Sequence, residues 1–220
     1  MKREIIKTAD GSHTISVPEL NEHYHSVNGA IAEAKHVYID AGFNKHENEI
    51  LNILEIGFGT GLNSLLTLIE SDRLNKRIFY QGVEAFPISI DELSKLNYIE
   101  ELGAEGYSDI YLKMHSSTWE NEVSITDRFT LLKQKKSFKE IDDINKFDLI
   151  YFDAFGPDVQ PELWTEDIFD KMYRSLKDGG ILVTYSSKGI VKRALRSVGF
   201  ELERLEGPKG KRHILRATKN

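Results

Sequence analysis

The sequence predicts an α/β fold whose central sheet is mostly parallel and covered by helices. Strand-like apolar runs alternate with helical patterns through the middle of the chain. The first run, 51–56, leads into a glycine-rich turn and a helix, and a later run, 147–152, ends in an aspartate. Alternation of this kind favours parallel pairing, because parallel strands need a crossover connection. A length of 220 residues suits one domain with a sizeable core.

The first 45 residues predict an extension that packs over the open end of this sheet. Two strand patterns, 5–8 and 13–17, flank Asp10-Gly11, a strong hairpin signal. Apolar residues at helical spacing over 30–41 then predict a helix that Gly42 caps. The division we expect is an extension over 1–45 and a main domain over 46–220.

The glycine-rich turn narrows the class of ligand. Gly57, Gly59 and Gly61 alternate, and Leu62 stands where a dinucleotide fingerprint needs Gly or Ala. Glu55 lies inside the preceding strand. This pattern resembles the first motif of class I S-adenosylmethionine (SAM) methyltransferases, and it disfavours a dehydrogenase. Glu55 could then serve the ammonium of SAM. A structural glycine turn in another α/β protein is the alternative.

The next segment predicts a second strand over 77–84, and Glu84 at its end suits hydrogen bonds from ribose hydroxyls. Pro87 is expected in the first turn of a helix through Leu93, Leu96 and Ile99. Residues 103–125 read as irregular, with a short strand or loop over 107–112. A third strand is predicted over 129–132.

The fourth strand carries the candidate catalytic residue. Asp153 follows the apolar run 147–152, at the carboxyl edge where open α/β sheets bind ligands. A carboxylate there is costly unless it has a partner or a task. An N-cap role is the alternative, although Thr165 is a better cap for the next helix.

The remaining elements complete the sheet. A helix through Ile168 and Leu176 should stop at Asp178-Gly179-Gly180, before a fifth strand over 181–186. A helix through Val191 and Val198 follows, and 200–205 with 213–217 predict an antiparallel terminal hairpin.

Composition limits the chemistry. The chain has no cysteine, which excludes a thiol nucleophile and a cysteine zinc site. His23 and His25 flank Tyr24, but two histidines without further ligands make a weak metal site, so we expect no metal and a surface or cap role. No signal peptide or membrane span is predicted, and we expect a cytoplasmic protein.

Charge is unevenly distributed. The formal net charge is −6, yet residues 188–220 hold ten Lys/Arg against three Asp/Glu, a net of +7 that leaves −13 for the first 187. A basic tail on an acidic body suggests an anionic partner such as nucleic acid, against the simpler interpretation of a solvated surface.

Several motifs together resemble one family. They are Asp10-Gly11-Ser12, Tyr24-His25-Ser26, Gly29-Ala30 with Glu33 and His36-Val37-Tyr38, Gly57–Asn63, Asp153-Ala154-Phe155-Gly156-Pro157, Pro161–Thr165 and Gly207–Arg212. Over nearly the whole chain the sequence is similar to the methyltransferase domain of the MnmC-type tRNA 5-methylaminomethyl-2-thiouridine biosynthesis family.

The resemblance implies a Rossmann-like class I methyltransferase fold and SAM-dependent N-methylation of a 5-aminomethyl group on the wobble uridine of tRNA. The implied SAM-binding residues are Glu55, Gly57, Phe58, Gly59, Thr60, Gly61, Asn63, Glu84 and Asp153. Asp153 would orient the amine and help remove its proton. Candidate acceptor-binding residues are Phe155, Trp164 and Tyr185 near the base or sulfonium, although core packing is the favoured interpretation of each. Lys188, Lys192, Arg193, Lys209, Lys211 and Arg212 are the candidates for tRNA phosphates.

The chain also departs from that family. It has no room for the flavin-dependent oxidase domain of the bifunctional members, so we expect a stand-alone methyltransferase whose oxidase partner is a separate protein. The family tends to carry Gly-Asp-Ala after the third strand, with the acid facing adenine; here the region reads Lys135-Lys136-Ser137. Ala154 stands where relatives often have Gly.

Two alternatives remain open. One is a small-molecule enzyme, either an amine methyltransferase or an aminopropyl transferase resembling spermidine synthase, for which Asp158 and Glu162 are the only further acids in the loop 154–162. The other is a non-catalytic RNA-binding module, which predicts no SAM binding.

Overall fold

A computed structural model describes residues 2–220. Its centre is an eight-stranded sheet in the order β10-β11-β9-β8-β4-β5-β7-β6. The strands are β4 (Ile50–Ile56), β5 (Arg77–Val83), β6 (Glu122–Thr126), β7 (Phe129–Gln134), β8 (Phe147–Phe152), β9 (Leu176–Thr184), β10 (Glu201–Glu206) and β11 (His213–Thr218). Strands β4, β5, β7, β8 and β9 run parallel, and β6, β10 and β11 are antiparallel to their neighbours. The mostly parallel fold and the terminal hairpin are confirmed.

Both faces of the sheet are buried. On one face, Leu51 and Ile53 pack with α2 (Leu62–Leu74). On the other, Leu54 and Ile56 pack with α6 (Glu166–Ser175) and α7 (Gly189–Ser197). Double-sided burial explains why β4 and β8 appear in the sequence as nearly continuous apolar runs.

The N-terminal residues form a separate three-stranded antiparallel sheet of β1 (Glu4–Lys7), β2 (His13–Val17) and β3 (Glu22–His23). The predicted hairpin is confirmed, while β3 was not predicted. Helix α1 (Ala30–Ala34) continues as a π-helical stretch over Lys35–Asp40. The C-cap role predicted for Gly42 is wrong: its φ of −110° is not left-handed, and glycine is needed because a Cβ would lie 2.5 Å from the Tyr38 carbonyl oxygen.

Two further predictions are corrected in the segment after β5. Pro87 lies outside any helix, because Ser89 forms a capping box with Glu92 and begins α3 (Ile90–Leu93). A second short helix, α4 (Tyr98–Leu102), follows. The strand or loop predicted over 107–112 is instead the start of α5 (Ser108–Ser116), and β6 was not predicted.

The helix predicted to reach Asp178-Gly179-Gly180 ends earlier, at Ser175, and β9 begins at Leu176. Residues 177–180 form an irregularity inside this strand, where the register with β8 shifts between Phe147 and Leu149. Within residues 2–220, no helix is long and apolar enough to cross a membrane.

Parallel alignment brings the carboxyl ends of β4, β5, β7 and β8 to one edge. The loops after these strands therefore meet there, as expected for a ligand site in an open α/β sheet.

Candidate functional site

A cavity of about 670 Å³ opens at this edge. Its floor is the loop after β4, its sides are the loops after β5, β7 and β8, and the N-terminal extension covers it. Tyr24, His25 and Glu33 are among the residues that the extension contributes to its lining. The division into an extension over 1–45 packed on a main domain stays a prediction, which this lining supports.

The glycine loop approaches its neighbours too closely for side chains. Gly57 has a φ of +88°, and a Cβ there would lie 2.5 Å from the Asp153 carbonyl oxygen. Gly61 has a φ of +68°, and its Cβ would lie 2.7 Å from His115 Nε2. Only glycine fits these positions without displacing these neighbours. The loop after β4 is thereby held against the end of β8.

Thr60 anchors the loop from the other side. Its carbonyl oxygen accepts hydrogen bonds from the Tyr111 hydroxyl at 2.6 Å and from His115 Nε2 at 2.9 Å. The Thr60 hydroxyl lies 3.4 Å from Nε2 of His25, whose Nδ1 lies 3.0 Å from the Thr14 hydroxyl. Burial lowers the pKa of both histidines to about 4. His25 is therefore a neutral packing residue of the extension, in line with the cap role expected for it.

Glu55 and Asp153 meet at Asn63. Asn63 Nδ2 donates hydrogen bonds to Glu55 Oε1 and to Asp153 Oδ2, each at 2.9 Å. Glu55 lies at the end of β4, Asn63 in the first turn of α2 and Asp153 directly after β8. All three side chains line the cavity. The structure thus brings together the two carboxylates that the sequence singled out.

Two acceptors in this group have no hydrogen bond of normal geometry among residues 2–220: the buried atoms Glu55 Oε2 and Asn63 Oδ1. The buried Tyr80 hydroxyl, also without such a bond, lies close enough to Glu55 to lower the pKa of its carboxyl group. Buried acceptors without donors are costly in a folded protein. A cation with several N–H donors would satisfy both atoms at once.

Burial perturbs both carboxyl groups. Desolvation raises the pKa of Asp153 to about 6, while Asn63, the nearby Tyr38 hydroxyl and the charge of Lys211 pull it down. Desolvation also raises the pKa of Glu55 well above its usual value, against the hydrogen bond from Asn63. A carboxyl group with a pKa near neutrality can exchange a proton with a bound ligand.

Glu84 lies across the glycine loop from this pair. Its carboxylate accepts hydrogen bonds from the Gly59 N–H at 3.0 Å and from the Phe86 N–H at 2.8 Å. Each oxygen keeps a lone pair, and the side chain lines the cavity. This arrangement agrees with the predicted ribose contact.

Of the three candidate aromatic residues, two line the cavity and one does not. Phe155 and Tyr185 line the cavity, and the Tyr185 hydroxyl donates to the Ala154 carbonyl oxygen at 2.8 Å. Trp164 is 1% exposed, packs on Phe152 and lies outside the cavity lining. Its Nε1–H donates to the Phe155 carbonyl oxygen at 2.7 Å, so the wall role predicted for Trp164 is corrected to support of the loop.

Of the six basic candidate residues, one lines the cavity and five do not. Lys211 lines the cavity, where it is paired with Glu33 and lies over the Tyr185 ring, so a surface phosphate role is wrong for this residue. Lys188, which pairs with Asp158, is exposed, as are Arg193, Lys209 and Arg212; Lys192 is half-buried. These five lie outside the cavity lining, and their predicted contact with tRNA phosphates stays a prediction.

The loop after β7 forms the side of the cavity near Glu84. Ser137, Phe138 and Lys139 line it, whereas Lys135 and Lys136 do not. Ser137 begins a 3-10 turn by accepting a hydrogen bond from the Lys139 N–H. No acidic residue of this loop lines the cavity, in agreement with the departure noted in the sequence.

Sequence reasoning missed several residues that line the cavity, among them Tyr24, Glu33 and Phe86. Tyr24 packs edge-on against Phe155 at 5.3 Å between ring centroids, and it limits the space beside Gly59. Phe86 is 65% exposed at the mouth. The only available signal was that Tyr24 and Glu33 belong to motifs shared with the similar family. The described part of the chain holds no cluster of three His, Asp or Glu side chains suited to a metal ion.

Comparison with known proteins agrees with this geometry. A family described as S-adenosyl-L-methionine-dependent methyltransferase matches residues 99–220. The bifunctional tRNA 5-methylaminomethyl-2-thiouridine biosynthesis protein MnmC of Burkholderia multivorans is 27% identical over 215 residues, covering 92% of this chain and 33% of the relative. The same protein of Paraburkholderia xenovorans is 29% identical, covering 90% and 32%. The chain therefore spans about a third of the length of these curated relatives.

Comparison with solved structures also finds a similar MnmC-type protein. MNMC2 from Aquifex aeolicus superposes with a TM-score of 0.82 at 27% identity, covering all of this chain and 70% of that one. Spermidine synthase from Thermotoga maritima superposes with a TM-score of 0.59 at 15% identity, covering 98% and 68%, a likeness that concerns the fold alone. The resemblance to the MnmC-type methyltransferase domain is confirmed.

Proposed function

Because the chain belongs to the S-adenosyl-L-methionine-dependent methyltransferase family that its residues 99–220 match, we propose that it N-methylates the 5-aminomethyl group of wobble uridine or 2-thiouridine in tRNA. The observation that carries the proposal is the placement of Asp153, which shares the Asn63 donor with Glu55 and faces the same cavity. The relatives named for tRNA 5-methylaminomethyl-2-thiouridine biosynthesis supply the substrate class.

The residues of the cavity fit SAM. Glu55 Oε2 and Asn63 Oδ1 are buried acceptors that suit its ammonium. Gly57, Gly59 and Gly61 let the loop, with Phe58 and Thr60, pack against Asp153, Tyr24 and His115 and so form the floor on which SAM would lie. Glu84 would accept from the ribose hydroxyls, and Ser137 with Phe138 would flank the adenine.

When bound, SAM supplies an electrophilic methyl group on a sulfonium. The protein's task is then to present a neutral amine to it. A primary amine is mostly ammonium at neutral pH, and only its free base has a lone pair. Asp153, whose pKa is about 6, would accept the proton and orient the amine. Alignment in the covered cavity supplies much of the remaining acceleration.

The tRNA would approach across the mouth of the cavity. Phe155 and Tyr185 are the proposed walls for the base. Lys188, Lys192, Arg193, Lys209 and Arg212 would meet phosphates, which supports affinity and steering but not base recognition. The division at residue 45, a separate oxidase partner and a cytoplasmic location stay predictions.

Aminopropyl transfer is the second candidate, and one observation favours it. Glu22, Glu33 and Glu162 also line the cavity and add acids near a bound amine. The same acids suit an aminomethyl acceptor. A diamine is a cation, so an enzyme that binds one would gain nothing from the basic residues of 188–220. We therefore rank tRNA methylation first.

The test is to incubate the protein with methyl-labelled SAM and tRNA that carries 5-aminomethyluridine, then digest the tRNA and analyse the nucleosides. Label in 5-methylaminomethyluridine supports the proposal. A parallel reaction with decarboxylated SAM and a diamine tests the second candidate. Absence of label in the tRNA, or aminopropyl transfer in its place, would overturn the first.

A further inference from the structure

Glu33 and Lys211 form an ion pair inside the candidate site. Glu33 lies in α1 and is 8% exposed. Its Oε2 accepts a hydrogen bond from the Ser26 N–H at 2.9 Å, and its Oε1 is paired with the Lys211 ammonium. Both side chains line the cavity that also contains Asp153.

The Lys211 ammonium has an environment suited to a bound ammonium ligand. It lies 4.3 Å from the centroid of the Tyr185 ring and against the Glu33 carboxylate. A carboxylate combined with an aromatic face is a recurrent binding arrangement for organic cations. The charges of Glu33 and Lys211 both act on Asp153, so this ammonium lies near the proposed base.

Lys211 has a more exposed side chain than its partner, at 29% against 11% for Glu33. It belongs to the loop between β10 and β11, where Lys209 and Gly210 are exposed and Lys211 N–H donates to the Pro208 carbonyl oxygen at 2.9 Å. Glu33, by contrast, is fixed by the Ser26 N–H and by the buried face of α1. A ligand could therefore displace the lysine while the carboxylate stays in place.

We propose that Glu33, with the face of Tyr185, binds the primary ammonium of the acceptor, and that Lys211 occupies this position until the acceptor arrives. The inference rests on the proposed function, because it assigns the ammonium to the aminomethyl group of the tRNA. Glu33 binds this group as an ammonium, and Asp153 then takes one of its protons. The amine forms a bond to the methyl carbon as the carbon–sulfur bond breaks, and the electron pair of that bond goes to sulfur.

This arrangement makes Glu33 a specificity residue. An acceptor with a neutral group in place of the ammonium would leave Glu33 charged, buried and dependent on Lys211. Charge-assisted hydrogen bonds are among the stronger polar contacts in proteins, so discrimination of at least about tenfold is expected.

The experiment compares two anticodon stem-loop RNAs that differ only at the wobble base, 5-aminomethyluridine against the neutral 5-hydroxymethyluridine. Dissociation constants are measured with S-adenosylhomocysteine present, so that no turnover occurs. The wild-type protein should prefer the aminomethyl RNA, and Glu33→Gln should lower that preference at least about tenfold. Glu33→Asp, which keeps the charge, should retain part of it.

Two lysine variants separate a binding role from a structural ion pair. Lys211→Met and the matched Lys209→Met each remove one positive charge from the same loop. Both should keep the preference for the aminomethyl RNA, whatever they do to overall RNA affinity. If the pair were only structural, Glu33→Gln and Lys211→Met would have the same effect, and that result would overturn the inference.

The affinity of each variant for S-adenosylhomocysteine confirms that its cavity is folded. A wild-type protein without preference, or a Glu33→Gln variant that keeps it, would also overturn the inference. Failure of the proposed function is a different result: wild-type protein would then transfer no methyl group to the aminomethyl RNA when SAM is supplied.

Discussion

Glu55 and Asp153 share one donor, since Nδ2 of Asn63 lies 2.9 Å from an oxygen of each carboxylate. Glu55 ends one strand and Asp153 follows the neighbouring strand β8. The shared amide links the proposed site for the ammonium of SAM to the proposed base. Substitution of Glu55 should therefore act mainly on SAM binding, and substitution of Asp153 mainly on the rate of methyl transfer.

Glu55→Gln should weaken SAM binding by about tenfold or more, because a neutral amide loses the charge-assisted contact to the ammonium of SAM. Isothermal titration calorimetry measures the change. Glu105→Gln, at an exposed position away from the cavity, is the matched control and should bind like wild type. Equal affinities for Glu55→Gln and wild type would remove Glu55 from the SAM site.

Asp153→Asn should lower kcat by about a hundredfold or more while SAM affinity changes little, since an amide cannot accept the proton of the acceptor ammonium. Single-turnover methyl transfer measures the rate. Unchanged turnover would exclude Asp153 as the base.

The same carboxyl group predicts a pH dependence. Wild-type rates should fall as the pH drops through about 6, where Asp153 becomes protonated. Asn63, Tyr38, Glu33 and Lys211 act on this group, so the midpoint should shift in their variants. If the rate of Asp153→Asn still fell as the pH dropped through about 6, the group that titrates would be another residue.

Asp153 should also reduce stability at neutral pH. Its pKa rises from 3.8 to about 6 on folding, so the folded state holds a proton that the unfolded state has released between these values. The stabilisation from this proton is complete below pH 3.8 and is lost as the pH rises through about 6. The free energy of unfolding of Asp153→Asn at pH 7 should therefore exceed that of wild type by about 1 to 2 kcal/mol, and the gap should narrow towards pH 4. Urea unfolding at both pH values measures it, and a gap that is constant with pH would contradict this account.

Gly57→Ala should destabilise the protein by about 2 kcal/mol, because the φ of +88° and the Asp153 carbonyl oxygen at 2.5 Å both oppose a methyl group. Gly106→Ala is the control, since a Cβ there meets nothing within 4 Å. Urea unfolding of the two variants checks the difference. Similar midpoints would mean that the loop after β4 tolerates side chains.

Reversing the charges of Lys209 and Arg212 to Glu should weaken tRNA binding and flatten its dependence on salt, because fewer counterions are released. SAM affinity should stay the same. A matched double reversal at Lys45 and Arg77, exposed residues near the amino ends of the strands, should have little effect. An unchanged salt slope for the first pair would place the tRNA elsewhere.

The parts of the fold that the sequence predicted are those with strong local signals. Strands β4 and β8 are apolar because both faces are buried, and the glycines at 57, 59 and 61 have positive φ. Helix α5 had a usable signal, the spacing of Tyr107, Tyr111 and Met114, which two nearby glycines obscured. The irregularity at 177–180 depends on pairing with β8, which no local pattern reveals.

The site was predictable where it lies in one loop and less so where distant segments meet. Glu55 lies near the end of β4, and the three glycines and Asp153 follow β4 and β8, so position in the sequence was enough to single them out. Glu33 and Lys211 are 178 residues apart, and their contact depends on how the extension covers the sheet. For Trp164 the sequence left both a wall role and core packing open, because a tryptophan beside the site and one that supports its loop have the same sequence pattern. The structure shows core packing.

The structure of the protein with S-adenosylhomocysteine bound tests the central claim most directly. The account predicts that the amino-acid end of the ligand lies over the glycine loop, with its ammonium within hydrogen-bond distance of Glu55 Oε2 and Asn63 Oδ1 and its sulfur facing Asp153. A ligand bound elsewhere, or a sulfur on the far side of the loop from Asp153, would contradict it.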